Sequence, residues 1–235
     1  MYYNLNKNGK EKMDKSPSLF DIIGPVIIGP SSSHTAGAVK IGLLARKFYG
    51  EKPEKVKFTL YNSFAKTGKG HGTDKGLLAG ILGMNVSDSN IKNAFEIAEK
   101  ENLDYSFEYK DDFSKHPNSV DIEIYTPKSI IIKGESLGGG EVRISYINNY
   151  NVDIKGDYHT LILIYKDKPG MVYKVSNFIQ EERVNIASLN CDRAVKGEEA
   201  SMCICLDSKL TKNALKKLAE IDEVFLIRYI EALSK

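Results

Sequence analysis

The chain has 235 residues, 42% of them hydrophobic, which is enough for one large or two modest cores; two domains is the expectation. Its 33 basic and 31 acidic residues are interleaved and leave a formal charge of +2, so composition points to no polyanionic partner such as nucleic acid or anionic lipid. No apolar run reaches the ~18 residues of a membrane span, and the Asn- and Lys-rich start lacks a signal-peptide core, so a soluble cytoplasmic protein is expected.

Residues 1–16 read as a flexible tail. Ser18-Leu19-Phe20-Asp21-Ile22-Ile23 predicts a short helical turn stopped by Gly24-Pro25, and Val26-Ile27-Ile28 leads into a polar cluster. That cluster is Gly29-Pro30-Ser31-Ser32-Ser33-His34-Thr35, directly ahead of a helix predicted over 36–49 from the spacing of Ala38, Ile41, Gly42, Ala45 and Phe48. N-capping by Ser33 or Thr35 accounts for one hydroxyl, whereas a carboxylate held at a helix amino terminus would use the whole cluster. Sequence leaves both readings open.

Residues 50–55 form a turn, and Val56, Phe58 and Leu60, alternating with Lys57 and Thr59, predict a half-buried strand. It delivers the chain to Thr67-Gly68-Lys69-Gly70-His71-Gly72-Thr73-Asp74. The alternate glycines predict a tight loop that presents one imidazole, His71, beside Lys69, Thr73 and Asp74, an arrangement suited to proton transfer. An ordinary structural glycine turn is the competing reading. The run matches neither the dinucleotide glycine spacing nor a P-loop, so nucleotide binding is not expected. Helices are predicted at 73–82, with Asp74 in the first turn, and at 90–101, where Ile91, Ala94, Phe95 and Ala98 share a face.

Strands are predicted at 105–109 and, after the turn His116-Pro117-Asn118, at 120–124. Two more, 130–134 and 141–147, flank Ser136-Leu137-Gly138-Gly139-Gly140, a turn or bulge that would also allow close approach of a ligand. Residues 148–151 close a hairpin into Val152-Asp153-Ile154, and Lys155-Gly156-Asp157 marks a domain boundary. Beyond it come a strand at 160–165, the turn Asp167-Lys168-Pro169-Gly170, and a helix striped by Met171, Val172, Val175, Phe178 and Ile179. Strands at 184–189 and 200–206, a helix at 210–221 and a strand at 224–230 complete the split ferredoxin-like order. Three cysteines, Cys191, Cys203 and Cys205, without a Cys-x-x-Cys pair argue against a disulfide framework and a self-contained zinc or iron–sulfur site. Cys203 and Cys205 share the face opposite Met202 and Ile204, with alpha carbons roughly 6.5–7 Å apart, too far for comfortable bridging, so packing or an interface is their expected role.

Ser18 to Gly24-Pro25, Gly29-Pro30-Ser31-Ser32-Ser33-His34-Thr35, Gly68-Lys69-Gly70-His71-Gly72-Thr73-Asp74, His116-Pro117-Asn118 and Gly138-Gly139-Gly140 together resemble the beta-subunit family of iron–sulfur-dependent L-serine dehydratases. Residues 158–235 look like its carboxy-terminal ACT domain. The resemblance implies an α+β chain: after the tail at 1–16, a serine dehydratase beta domain of the allosteric-substrate-binding type at 17–156, then a ferredoxin-like ACT domain at 157–235. It implies a two-subunit lyase turning L-serine into pyruvate and ammonia, with a [4Fe–4S] cluster held by cysteines of a partner alpha subunit and no metal ligand in this chain. By motif, His71 is the expected catalytic base and Ser31, Ser32, Ser33, His34 and Thr35 the substrate-carboxylate turn. Thr73 and Asp74 would orient His71, and Asn118 would be a further substrate contact. Asp167, Pro169, Gly170 and Met171 form the expected ACT ligand loop, and ACT domains suggest beta–beta pairing. One departure stands out: the family usually has Tyr-Gly-Ser where this chain has Tyr61-Asn62-Ser63, asparagine being a residue that tolerates left-handed geometry. The amino-terminal half also resembles the allosteric substrate-binding domain of some phosphoglycerate dehydrogenases, which gives the alternative of a non-catalytic serine-binding module. His71 in its motif favours catalysis.

Overall fold

A computed structural model describes residues 29–125, 129–193 and 195–233; the tail and the turn expected at 18–23 lie outside them. Ser32–Ala36 forms one wide π-helical turn that runs into α1 (Gly37–Tyr49), whose buried stripe includes Ala38, Ile41, Ala45 and Phe48 as the spacing predicts. The cap lies two residues before the nearer of the two expected, Ser33. Ser31, in extended conformation, caps the turn, its hydroxyl accepting the His34 amide at 3.0 Å.

β1 (Lys55–Tyr61) buries Val56, Phe58 and Leu60 completely. The stretch after it corrects the expectation of a glycine loop: α2 (Asn62–His71) and α3 (Thr73–Ile81) are two helices meeting at Gly72. Burial of Phe64 and the seating of Gly68 against Thr73 hold the glycine-poor propensity in check, so packing overrides local preference. Among the three glycines of the motif, Gly72 alone takes the left-handed conformation, φ 69°, and it ends one helix while opening the next. The helix expected at 90–101 is split. Asp88 caps a 3₁₀ turn over Ser89–Asn93, and α4 (Ala94–Lys100) follows.

β2 (Asp104–Lys110), β3 (Ser119–Ile124), β4 (Ile130–Gly138), β5 (Glu141–Ile147) and β6 (Tyr150–Ile154) join β1 in a six-stranded sheet ordered β2-β1-β3-β4-β5-β6. β1 and β2 are parallel, in register from Lys55 opposite Asp104, across the helical crossover; the other pairs are antiparallel. β4 runs four residues beyond its expected end at 134, and the turn to β5 is made by Gly139 and Gly140. α1 and α3 pack backbone to backbone: a Cβ on Gly42 would run into the Leu77 carbonyl, and one on Gly80 into Val39 and Leu43.

β7 (His159–Lys166), α5 (Met171–Glu181), β8 (Ile186–Arg193), β9 (Glu199–Leu206), α6 (Lys212–Ala219) and β10 (Val224–Ile230) form an antiparallel sheet ordered β10-β7-β9-β8, the ferredoxin-like arrangement. Leu161, Leu163, Met202 and Ile204 pack under Met171, Val175, Ala214 and Leu218. The opposite face is covered too. Ile162, Cys203 and Ile230 join the hydrophobic core beneath the first sheet, so β9 is buried along seven of its eight residues and Cys203 packs between the two sheets. No helix among the described residues is long and apolar enough to cross a membrane.

Candidate active site

Four separate segments converge at the amino terminus of α1. His34 Nε2 lies 3.2 Å from Ser63 Oγ and 3.1 Å from Thr67 Oγ1, both on α2 one turn apart. The Thr67 hydroxyl donates its one proton to the Ser63 carbonyl at 2.8 Å, so toward His34 it acts as acceptor. Burial, the larger effect, and the charge of His71 hold the His34 imidazole below its ordinary value, so at neutral pH His34 is uncharged. The His71 ring, exposed at the end of α2, has its centroid 5.1 Å from that of His34, and Phe64 meets His34 edge-on at 5.4 Å.

A ring of hydrogen bonds fixes these pieces. The buried Thr35 hydroxyl donates to the His71 carbonyl at 2.7 Å, tying the serine turn to the junction of α2 and α3. Ser136 Oγ donates to the Ser33 carbonyl at 2.9 Å, and the Ser136 amide to the Asn118 carbonyl at 2.9 Å. The Pro117 carbonyl then accepts the Ser63 and Phe64 amides at 2.8 and 3.3 Å, capping α2 and closing the circuit. Ser31 to Thr35, His71 and Asn118 are thus brought together, but the Thr35 hydroxyl is buried and its proton is given to the His71 carbonyl, so Thr35 is not placed for the carboxylate contact expected of it.

Other expected residues take different places. Neither Thr73 nor Asp74 hydrogen-bonds His71: Thr73 is wholly buried with its hydroxyl unpartnered, and Asp74 Oδ1 accepts the Lys75 amide at 2.9 Å. Orientation of His71 falls instead to Thr35, through the backbone. Asn118 has an unpartnered buried Oδ1, a polar atom left for a ligand or water. Asp167, Pro169 and Gly170 lie on the second sheet's first turn and Met171 begins α5, apart from the His34 cluster. Asp167 pins a neighbouring turn, accepting Arg193 Nη1 at 2.7 Å and the Gly197 amide at 2.9 Å, bonds that lower its pKa.

Ser63 and Thr67 are site residues that sequence reading passed over. Their spacing of four is the signal, visible once residues 62–71 are known to be helical. Asn62 begins α2 in left-handed geometry, φ 51°. Its Nδ2 donates to the Asp112 and Lys115 carbonyls at 2.7 and 3.2 Å, and its Oδ1 accepts the Asp112 amide at 2.9 Å. Lys115 is held in turn by Asp121 at 2.7 Å and lies over the Tyr61 ring at 3.6 Å. The loop carrying Asn118 is therefore clamped from below.

The chain's own donors do not fit an iron–sulfur cluster. Its three cysteines sit on β8 and β9 of the second sheet rather than in the segments that carry His34 and His71, and burial pushes the Cys203 thiol up to about 12, which disfavours the thiolate a metal requires. Among the described residues no group of three or more His, Cys, Asp or Glu is placed to hold a metal.

Comparison with known proteins gives a consistent picture. The serine dehydratase beta chain family model matches residues 18–145. A probable L-serine dehydratase beta chain of Bacillus subtilis is 36% identical over 217 residues, 92% of this chain and 99% of that one. The L-serine dehydratase beta chain of Peptoniphilus asaccharolyticus is also 36% identical, over 91% of this chain and 98% of its own. The D-3-phosphoglycerate dehydrogenase of Bacillus subtilis is 24% identical over 83% of this chain but 37% of its own length.

Proposed function

Because the chain belongs to the serine dehydratase beta chain family, we propose that it is the beta subunit of an L-serine ammonia-lyase that forms pyruvate and ammonia together with a cysteine-bearing alpha subunit. The [4Fe–4S] cluster is assigned to that partner, since the cysteines here do not fit one. What falls to this chain is substrate binding and proton transfer.

The observation that carries the reading is the pair of imidazoles 5.1 Å apart within a ring of hydroxyls. The turn at Ser31 to Thr35 opens the helix that runs into α1, where the amides and the Ser32 and Ser33 hydroxyls suit a substrate carboxylate. His71, exposed at the far side, takes the alpha proton. Neutral His34 fixes the Ser63 and Thr67 hydroxyls and adds no competing charge. Asn118 Oδ1 accepts the substrate ammonium.

The test is anaerobic co-expression with the cysteine-bearing subunit, then pyruvate release from L-serine by native enzyme and His71→Ala. Loss of turnover by about 10²-fold or more with co-purification intact is expected of a general base. Retained turnover would remove that role from His71 and leave the chain a substrate-binding and regulatory subunit.

A further inference from the structure

A cavity with basic side chains around an apolar floor lies where α1 meets the end of the ferredoxin-like sheet. Its volume is about 320 Å³, and its lining includes Lys40, Lys47, His159, Lys209 and Glu231. This size is at the lower end of small-molecule sites. Lys40 and Lys47 stand two turns apart on one face of α1. Lys209 is paired with Glu231 at 2.8 Å, the one carboxylate of the lining, which also faces Lys47 and His159 at longer range. His159 Nδ1 accepts the Ala232 amide at 3.2 Å, which places the imidazole hydrogen on Nε2 and makes it a donor.

Lys40 is the informative member. Its half-buried ammonium bonds the Gly140 carbonyl at 2.7 Å and has, among the described residues, no carboxylate within 4.0 Å. Burial lowers its pKa, only partly offset by Glu141 and Asp157 at longer range. A partly buried cation with a neutral partner is an incomplete arrangement, which an anion would complete.

We propose that this cavity binds a small anion, a carboxylate- or phosphate-bearing metabolite gripped by Lys40 and Lys47 with His159 as a third donor, and that it regulates the site at the amino terminus of α1. The route is short. Gly140 belongs to the turn that leaves β4, Gly138 sits beside Ser33 Oγ, and Ser136 holds the Ser33 carbonyl. An anion drawing Lys40 Nζ away from Gly140 loosens that turn against the serine cluster. The binding claim does not depend on the lyase assignment.

The full chain is titrated with inorganic phosphate and, separately, citrate, at ionic strength held constant with KCl, following the thermal midpoint and the heat of binding. A saturable rise with at least one anion is expected, about tenfold weaker in Lys47→Gln, the loss of one charge-assisted contact. The response should vanish in the double variant Lys40→Gln/Lys47→Gln and persist in Lys100→Gln, an exposed lysine on α4 that lines no part of the cavity. Phosphate alone marks a phosphate-bearing ligand and citrate alone a polycarboxylate; both outcomes support the site. No saturable response to either anion, or a native-like response in the double variant, overturns it. Should that variant fail to fold, Lys47→Gln, which leaves the Lys40–Gly140 bond in place, decides the matter by the same criterion.

Discussion

Asn62 is the sharpest place to perturb the site without touching substrate. Its side chain makes three hydrogen bonds to the loop over 112–115, at 2.7, 3.2 and 2.9 Å. At about 0.5–1.5 kcal/mol each, with the lower half of that range fitting a half-buried group, they contribute about 2 kcal/mol. The backbone adds a second term: at φ 51° alanine is strained by about 1–2 kcal/mol, whereas glycine is relaxed there and loses only about 0.5 kcal/mol through the more flexible unfolded chain. Asn62→Ala should therefore cost about 3.5 kcal/mol and Asn62→Gly about 2.5. Urea unfolding of the two variants measures both, and at about 2–4 °C per kcal/mol the thermal midpoints should fall by roughly 10 and 7 °C. Hydrogen exchange at the Ser63 and Phe64 amides, which bond Pro117, should quicken in both variants because the clamped loop then opens more easily. With Asn118 in the substrate-binding role proposed above, KM for serine should rise with them, because Asn118 rides on the same loop. A cost below about 0.5 kcal/mol for both, or glycine proving worse than alanine, would refute the clamp.

Thr35→Val removes the 2.7 Å bond to the His71 carbonyl, for about 1–2 kcal/mol of stability, and should lower kcat about tenfold with little change in KM as His71 loses its register. Steady-state kinetics of the two-chain enzyme separates the two terms. Gly80→Ala drives a Cβ into backbone atoms of α1 and should cost about 1–3 kcal/mol in urea unfolding, a neutral result being incompatible with the close packing of α1 on α3. The pH dependence of stability has a definite sign at His34. Its pKa is lowered on folding, so the unfolded chain takes up that proton first, and stability present above the ordinary value of 6.5 is lost as pH falls through it. Thermal midpoints should fall less steeply toward about pH 5.5 in His34→Gln than in the native chain; equal slopes would show that His34 titrates normally.

Much of the fold was readable because its signals are local. Alternation placed β1 and β3, a helical stripe placed α1 and α5, and the order of elements after residue 157 specified the ferredoxin-like sheet. The motifs Ser31 to Thr35, His71 and Asn118 were visible for the same reason, as concentrations of chemistry in short segments. The misreadings have a common cause. Residues 67–74 look like a loop because glycine lowers helix propensity, but Phe64 and Thr73 are buried by elements remote in sequence, and that packing sets the conformation. Ser63 and Thr67 were missed with it, since a pair four residues apart means something only on a helix.

What the sequence determined by itself is therefore the list of elements, the fold class and the segments that carry chemistry, all written in patterns a few residues long. Tertiary structure decided how those segments meet. His34 and His71 are 37 positions apart in the chain, and their rings come within 5.1 Å because Gly42 and Gly80 let α1 and α3 touch. The Asn118 loop reaches them because β3 pairs beside β1 and Asn62 holds the connection. Those contacts depend on side-chain volumes and sheet order summed over the whole domain, information that no local spacing contains.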